Sequence, residues 1–221
     1  MTSQTWWYIA RSGGIVALGL SGASVLWGLF MSTRLLNGTP SPKWLLDLHR
    51  FLGGLAVIFT AIHVAGLMFD SYIGFTWVDV TVPMAAGWKP GAVAWGVVGM
   101  WLLLAVELTS LVMKRIPRKA WRLIHFASYA MVWTGVVHGA LAGTDAGNRV
   151  YIAGVSLMTL GIFYLTIYRI LAVKRRGSKA KPRPKPEART PRTANPISPA
   201  TDAEPVAPGR TRVVAGNSPE F

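Results

Sequence analysis

Four histidines are the only side chains in this sequence whose type and spacing suggest metal or redox chemistry, and they fall as two pairs. His49 and His63 are 14 residues apart, and His125 and His138 are 13 apart. Each pair lies within a long apolar stretch, one partner near an end and the other deep inside. At about 1.5 Å rise per helical residue, the partners of a pair stand roughly 20 Å apart along a helix. Two helices would then each offer an imidazole at two depths of a hydrocarbon layer about 30 Å thick. Neutral imidazole binds iron well. Two imidazoles on one iron leave no open coordination position, which suits electron transfer rather than oxygen binding. The chemistry implied is two stacked haems, each held by a histidine from either helix. Zinc transport is the competing metal chemistry, but it calls for carboxylates, and the only acid within an apolar span is Glu107, on a span that carries no histidine.

The elements that must position these side chains are legible in the composition. Of 221 residues, 52% are hydrophobic and only 14% charged, so the fold class is an all-α integral membrane protein. Uncharged windows at 12–33, 51–69, 90–106, 123–144 and 150–168 each approach or exceed the ~20 residues that cross a bilayer. They predict a bundle of about five transmembrane helices, near 7–31, 47–69, 91–113, 121–142 and 150–172. The connection 70–90 carries Asp70, Asp79 and Lys89 and is too broken to span, although it could dip into the interface. No basic region precedes the first span, so it does not read as a cleaved signal peptide. With no cysteine in the chain, disulfides, iron–sulfur clusters and thioether-linked haem are excluded.

Residues 1–172 thus form the transmembrane bundle. From 173 to 221 the sequence reads as a disordered, basic, proline-rich tail, with nine of the fourteen prolines. Its leading lysines and arginines suit an anionic lipid surface, while interleaved aromatics for nucleic-acid binding are lacking. Basic residues cluster in the 34–50 connection and at Lys114, Arg115, Arg118, Lys119 and Arg122. The bias predicts a multi-pass plasma-membrane protein with its N-terminus outside and its C-terminus in the cytoplasm. His49 and His125 then share the cytoplasmic level, and His63 and His138 the outer one. Arg50 and Arg122 adjoin the inner histidines, where the propionates of a haem would emerge.

Small residues flank the histidines: Gly53, Gly54 and Ala56, then Ala61, Ala65 and Gly66, then Ala127, Gly135, Gly139 and Ala140. Close helix packing and close approach of a porphyrin face would both use them. A 14-residue step keeps His49 and His63 within about 40° of each other, whereas a 13-residue step separates His125 and His138 by about 140° on an ideal helix. Either the fourth span is distorted, as at Gly135, or two haems approach it from different sides.

The stretches LHRFLGGLAVIFTAIHVAGLMFD (48–70) and RLIHFASYAMVWTGVVHGALAGTD (122–145), with the basic turn before the second, resemble the ferric reductase-like transmembrane domain. Ferric reductases, NADPH oxidases and the haem-binding membrane subunit of bacterial methionine-sulfoxide repair share it. The resemblance covers roughly residues 12–170. It implies two b-type haems ligated at the positions of His49, His63, His125 and His138, and electron transfer across the membrane to an acceptor such as a ferric complex. Oxidases and reductases of that family continue into flavin and NADPH domains, and no Gly-rich nucleotide fingerprint stands here. The expected electron donor is therefore a separate flavin reductase or membrane quinol. A quinol-linked respiratory cytochrome b shares the four-histidine plan. A non-redox membrane protein, such as a metal carrier, is the alternative of a different class.

Overall fold

The computed structural model describes residues 3–33 and 41–179, which are helical almost throughout. Six α-helices follow in order: α1 (Ser3–Thr33), α2 (Pro42–Phe69), α3 (Trp77–Thr81), α4 (Pro90–Leu111), α5 (Arg118–Ala142) and α6 (Arg149–Lys179). Among the described residues α1, α2, α4 and α6 are long and apolar enough to cross a membrane. At 25 residues α5 is about 37 Å long, yet its two histidines, Ser128, Tyr129 and Thr134 make it less apolar than the others. The five long helices coincide with the five expected spans.

Their ends differ from expectation for local reasons. α2 starts at Pro42, five residues early, because Ser41 caps it: its hydroxyl accepts the Trp44 N–H at 3.3 Å, and Pro42 sits in the first turn. α1 begins at Ser3 rather than 7, and α6 continues to Lys179 rather than stopping near 172. The tail predicted as disordered from 173 is helical over 173–179, where α6 continues, and its remainder, 180–221, lies outside the described residues. The 70–90 connection holds an unexpected element, the single-turn α3, closed at its start by a Thr76–Asp79 capping box. The Thr76 hydroxyl and backbone N–H hold the Asp79 carboxyl below its usual range. Phe75, Val80 and Ala86 bury themselves against Val93 and Val97 of α4, and the Trp101 indole donates to the Thr81 carbonyl at 2.8 Å. The connection is an ordered cap on that end of the bundle.

α1 packs along α2, and α4 along α5, as two antiparallel hairpins. The hairpins meet through α1 with α5 and α2 with α4, and α6 lies outside against α1. A buried core of Val25, Leu29, Ala56, Leu103, Met131, Val132 and Leu165 joins them. Ala56 is seven residues from each histidine of α2, and Met131 stands midway along the histidine step of α5, so this core separates two histidine levels. Elsewhere the surface is apolar, with Leu157 75% and Leu160 66% exposed on α6. In a bilayer such a face needs no protein partner, and close packing rather than water exclusion holds the helices together.

Candidate functional site

The site is built by two kinds of helix. α2 and α5 carry the histidines, while α1 and α4 stand behind them. At the end bearing the 70–89 cap, the His63 Nδ1–H donates to the Ala10 carbonyl of α1 at 2.6 Å, and the His138 Nδ1–H to the Ala92 carbonyl of α4 at 2.8 Å. At the basic end, the His49 Nδ1–H donates to the Ser24 carbonyl of α1 at 3.0 Å, with the Ser24 hydroxyl at 3.2 Å. A carbonyl oxygen only accepts, so the proton of each of these rings resides on Nδ1 and Nε2 is a bare lone pair. This is the tautomer that ligates a metal through Nε2, and a partner of this kind on the other nitrogen is the usual support of a metal-bound imidazole.

Three glycines make the approach possible. Gly14 lies against the His63 ring and Gly96 against the His138 ring. A Cβ on either would stand 2.8 or 2.7 Å from the ring's Nδ1. Gly28 faces His49, where a Cβ would meet Cε1 at 3.3 Å. These glycines are on α1 and α4. The small residues singled out beside the histidines do other work: Gly66 meets the backbone of Ala10, Gly135 meets Leu18 and Gly139 meets Tyr151. The signal that would have revealed the true set is the 14-residue step from Gly14 to Gly28, which repeats the step from His49 to His63.

The rings meet in the expected pairs. The centroids of His49 and His125 are 6.0 Å apart with planes at 70°, and those of His63 and His138 are 6.2 Å apart at 78°. A metal–imidazole nitrogen distance of about 2.0 Å puts the centroids of two rings on opposite faces of one ion about 6 Å apart. The centroid separations of both pairs match that spacing. Among the described residues no three His, Cys, Asp or Glu side chains converge, as a protein-only zinc site would need. A two-histidine site calls for a metal whose other ligands come with it, as in a porphyrin. α5 runs unbroken through Gly135, so the azimuthal difference between His125 and His138 is not taken up by a break in the helix. A cavity of about 380 Å³ surrounds His63 and His138, reaching down to Leu103 and Met131.

The basic end has further polar groups. Trp121 stacks on His125, centroids 4.9 Å apart at 24°, and its buried indole N–H has no partner among the described residues. An orphan donor beside the histidine pair fits a group carrying its own acceptor, such as a carboxylate. Arg50 and Arg122 are exposed at this end, and neither closes an ion pair among the described residues. Glu107 of α4 rests its carboxylate over Gly53 of α2, rather than pairing with the basic 112–118 turn. At the other end Arg11 of α1 makes a two-pronged bond to Asp145, through Nε to Oδ2 at 2.7 Å and through Nη2 to Oδ1, and lies over the Trp7 ring. Arg11 holds the Asp145 carboxyl below its usual range. Sequence reading did not single out this pair, whose members are 134 residues apart.

A helical membrane bundle with two stacked pairs of inward histidines defines a class, the multi-pass membrane proteins suited to carrying metal or haem in their interior. The model of the family "Ferric reductase like transmembrane component" matches residues 13–136, more than half of the chain. The chain belongs to this family, whose members generally bind haem and move electrons across a membrane. The matched region includes His49, His63 and His125 and stops two residues short of His138. No curated protein and no solved structure matches the chain significantly.

Proposed function

We propose that this chain is a transmembrane electron conduit holding two b-type haems. His49 and His125 would ligate one, and His63 and His138 the other. The observation that carries the reading is the pair of ring separations, 6.0 and 6.2 Å, with three of the four Nδ1 atoms tied to backbone carbonyls. Haem supplies reversible one-electron chemistry at iron. The protein's own residues do the rest. The carbonyls of Ala10, Ser24 and Ala92 fix the tautomer and aim of the imidazoles, and the core around Ala56 and Met131 excludes water between the two levels. Arg50, Arg122 and the orphan Trp121 N–H would meet the propionates at the basic end.

Lysine and arginine bias puts the basic end in the cytoplasm and the N-terminus outside, in a plasma membrane. Electrons then enter at the His49/His125 level from a separate donor, a flavin reductase or a quinol. They leave at the His63/His138 level to an acceptor such as a ferric complex. The tail beyond the bundle adds a basic stretch for anionic lipid.

The experiment is haem counting in single variants purified in detergent. His63→Ala should keep one haem of the wild-type two and retain half of the reduced-minus-oxidised absorbance, and His125→Ala should do the same. Unchanged haem content in both variants would overturn the assignment. It would leave a non-redox role, in which the histidines only bond between helices.

A further inference from the structure

The two hairpins repeat one device, and its fourth copy is altered. On α1 the carbonyls of Ala10 and Ser24 receive histidines, and the residues four further on are Gly14 and Gly28. On α4 the carbonyl of Ala92 receives His138, and the residue four further on is Gly96. In a helix the carbonyl of residue i already accepts the N–H of residue i+4. The i+4 side chain leans back over that turn and covers the remaining lone pair. Glycine at i+4 leaves it open to an imidazole arriving from the next helix. The two notches of α1 are 14 residues apart, and the same step on α4 leads from Ala92 to Val106 and from Gly96 to Ser110.

Ser110 thus stands where the other three notches have glycine. Its hydroxyl donates to the Val106 carbonyl at 2.7 Å, occupying the lone pair that a histidine would otherwise take. Among the described residues His125 Nδ1 has the Ser110 oxygen alone, at 3.5 Å, against 2.6, 2.8 and 3.0 Å from the other three histidines to their carbonyls. We propose that Ser110 is a positioning residue that sets the electron affinity of the His49/His125 centre apart from that of the His63/His138 centre, by holding a hydroxyl where the other three histidines reach a carbonyl. This rests on the dihaem reading above.

The physical link runs through the imidazole. A good acceptor on Nδ1–H pushes electron density to Nε2, which favours the oxidised metal and lowers its potential. A hydroxyl at the limit of hydrogen-bond distance does this less than a carbonyl does. The His63/His138 centre has two close carbonyls, while the His49/His125 centre has one carbonyl and one distant hydroxyl. By this contribution the His49/His125 centre is the easier to reduce.

Ser110→Gly removes the Cβ and hydroxyl over the Val106 carbonyl, leaving only the longer Thr109 hydroxyl contact at 3.2 Å, so His125 gains access to that carbonyl. Ser110→Ala removes the hydroxyl but keeps the Cβ, so His125 loses the one acceptor it has among the described residues. The measurement is a spectroscopic potentiometric titration of the detergent-solubilised holoprotein, with its two components assigned by His63→Ala and His125→Ala. The expected result is that Ser110→Gly moves the His49/His125 component to lower potential and Ser110→Ala moves it to higher potential. Ser110→Thr should restore the wild-type value, and the other component should stay fixed throughout. A purely structural role would not split the two variants in sign. Shifts of the same sign, no shift, or equal movement of both components would overturn the role of Ser110 while leaving two haems in place. Fewer than two haems per wild-type chain would overturn the dihaem reading itself, and this proposal with it.

Discussion

A histidine ring has two nitrogens, and what holds one decides what the other can do. His49, His63 and His138 each commit Nδ1–H to a helix carbonyl, which frees Nε2 for a metal. Because the carbonyls belong to α1 and α4, these helices are part of the site although they carry no histidine. The fit around the rings is tight enough to test. An alanine at Gly96 would put its Cβ 2.7 Å from the His138 ring, so the ring must move away from Ala92. Gly96→Ala should cost about 1–3 kcal/mol through overpacking and weaken haem retention at the His63/His138 level. Gly54→Ala, where an added Cβ meets nothing, should be neutral or slightly stabilising. Thermal unfolding followed with haem counting checks both, and equal behaviour of the two variants would contradict the close fit. The histidine pairs were legible in the sequence because four residues at matched depths stand out in an apolar chain. Their carbonyl partners were not, because every residue has a carbonyl. The glycines beside the histidines on α2 and α5 drew attention, whereas contact is made by glycines across the hairpin.

At the scale of elements, apolar length fixed the five long helices, and local chemistry moved their ends. Ser41 and Pro42 extend α2 backward, and a capping box creates α3 within a connection that hydropathy described only as broken. Residues 134 apart close the end opposite the basic turns, where Arg11 of α1 grips Asp145 in the α5–α6 connection. No local pattern announces such a pair. Its pH dependence follows from the sign of the shift. Asp145 has a lower pKa folded than the value of about 3.9 expected unfolded. The pair therefore stabilises the fold fully above about pH 4, and its contribution fades as pH falls through the folded value. Melting followed by tryptophan fluorescence should show the wild type losing stability below about pH 4 more steeply than Arg11→Gln, in which Asp145 titrates near its ordinary value. Equal acid sensitivity in the two would show that the pair contributes nothing at that end.

As a whole, the bundle is two hairpins of one design set face to face, with α6 packed outside against α1. Each has a backing helix and a histidine helix, and positions 10, 14, 24 and 28 of α1 correspond to 92, 96, 106 and 110 of α4 at a constant offset of 82. This repeat hides in the sequence because only a few positions per helix obey it while the lipid-facing remainder is free to vary. Its product is a column of two histidine pairs across the bundle, separated by a packed apolar core and surrounded by an apolar exterior. Membership of the ferric reductase-like family accounts for the architecture, and the ring separations are the observation behind the proposal of two haems. The most direct test is haem content together with the low-temperature electron paramagnetic resonance spectrum of the oxidised wild-type protein, purified after expression with ample haem. The account predicts two haems per chain, both low-spin with two histidine ligands. A folded preparation without haem, or with one high-spin haem, would contradict it.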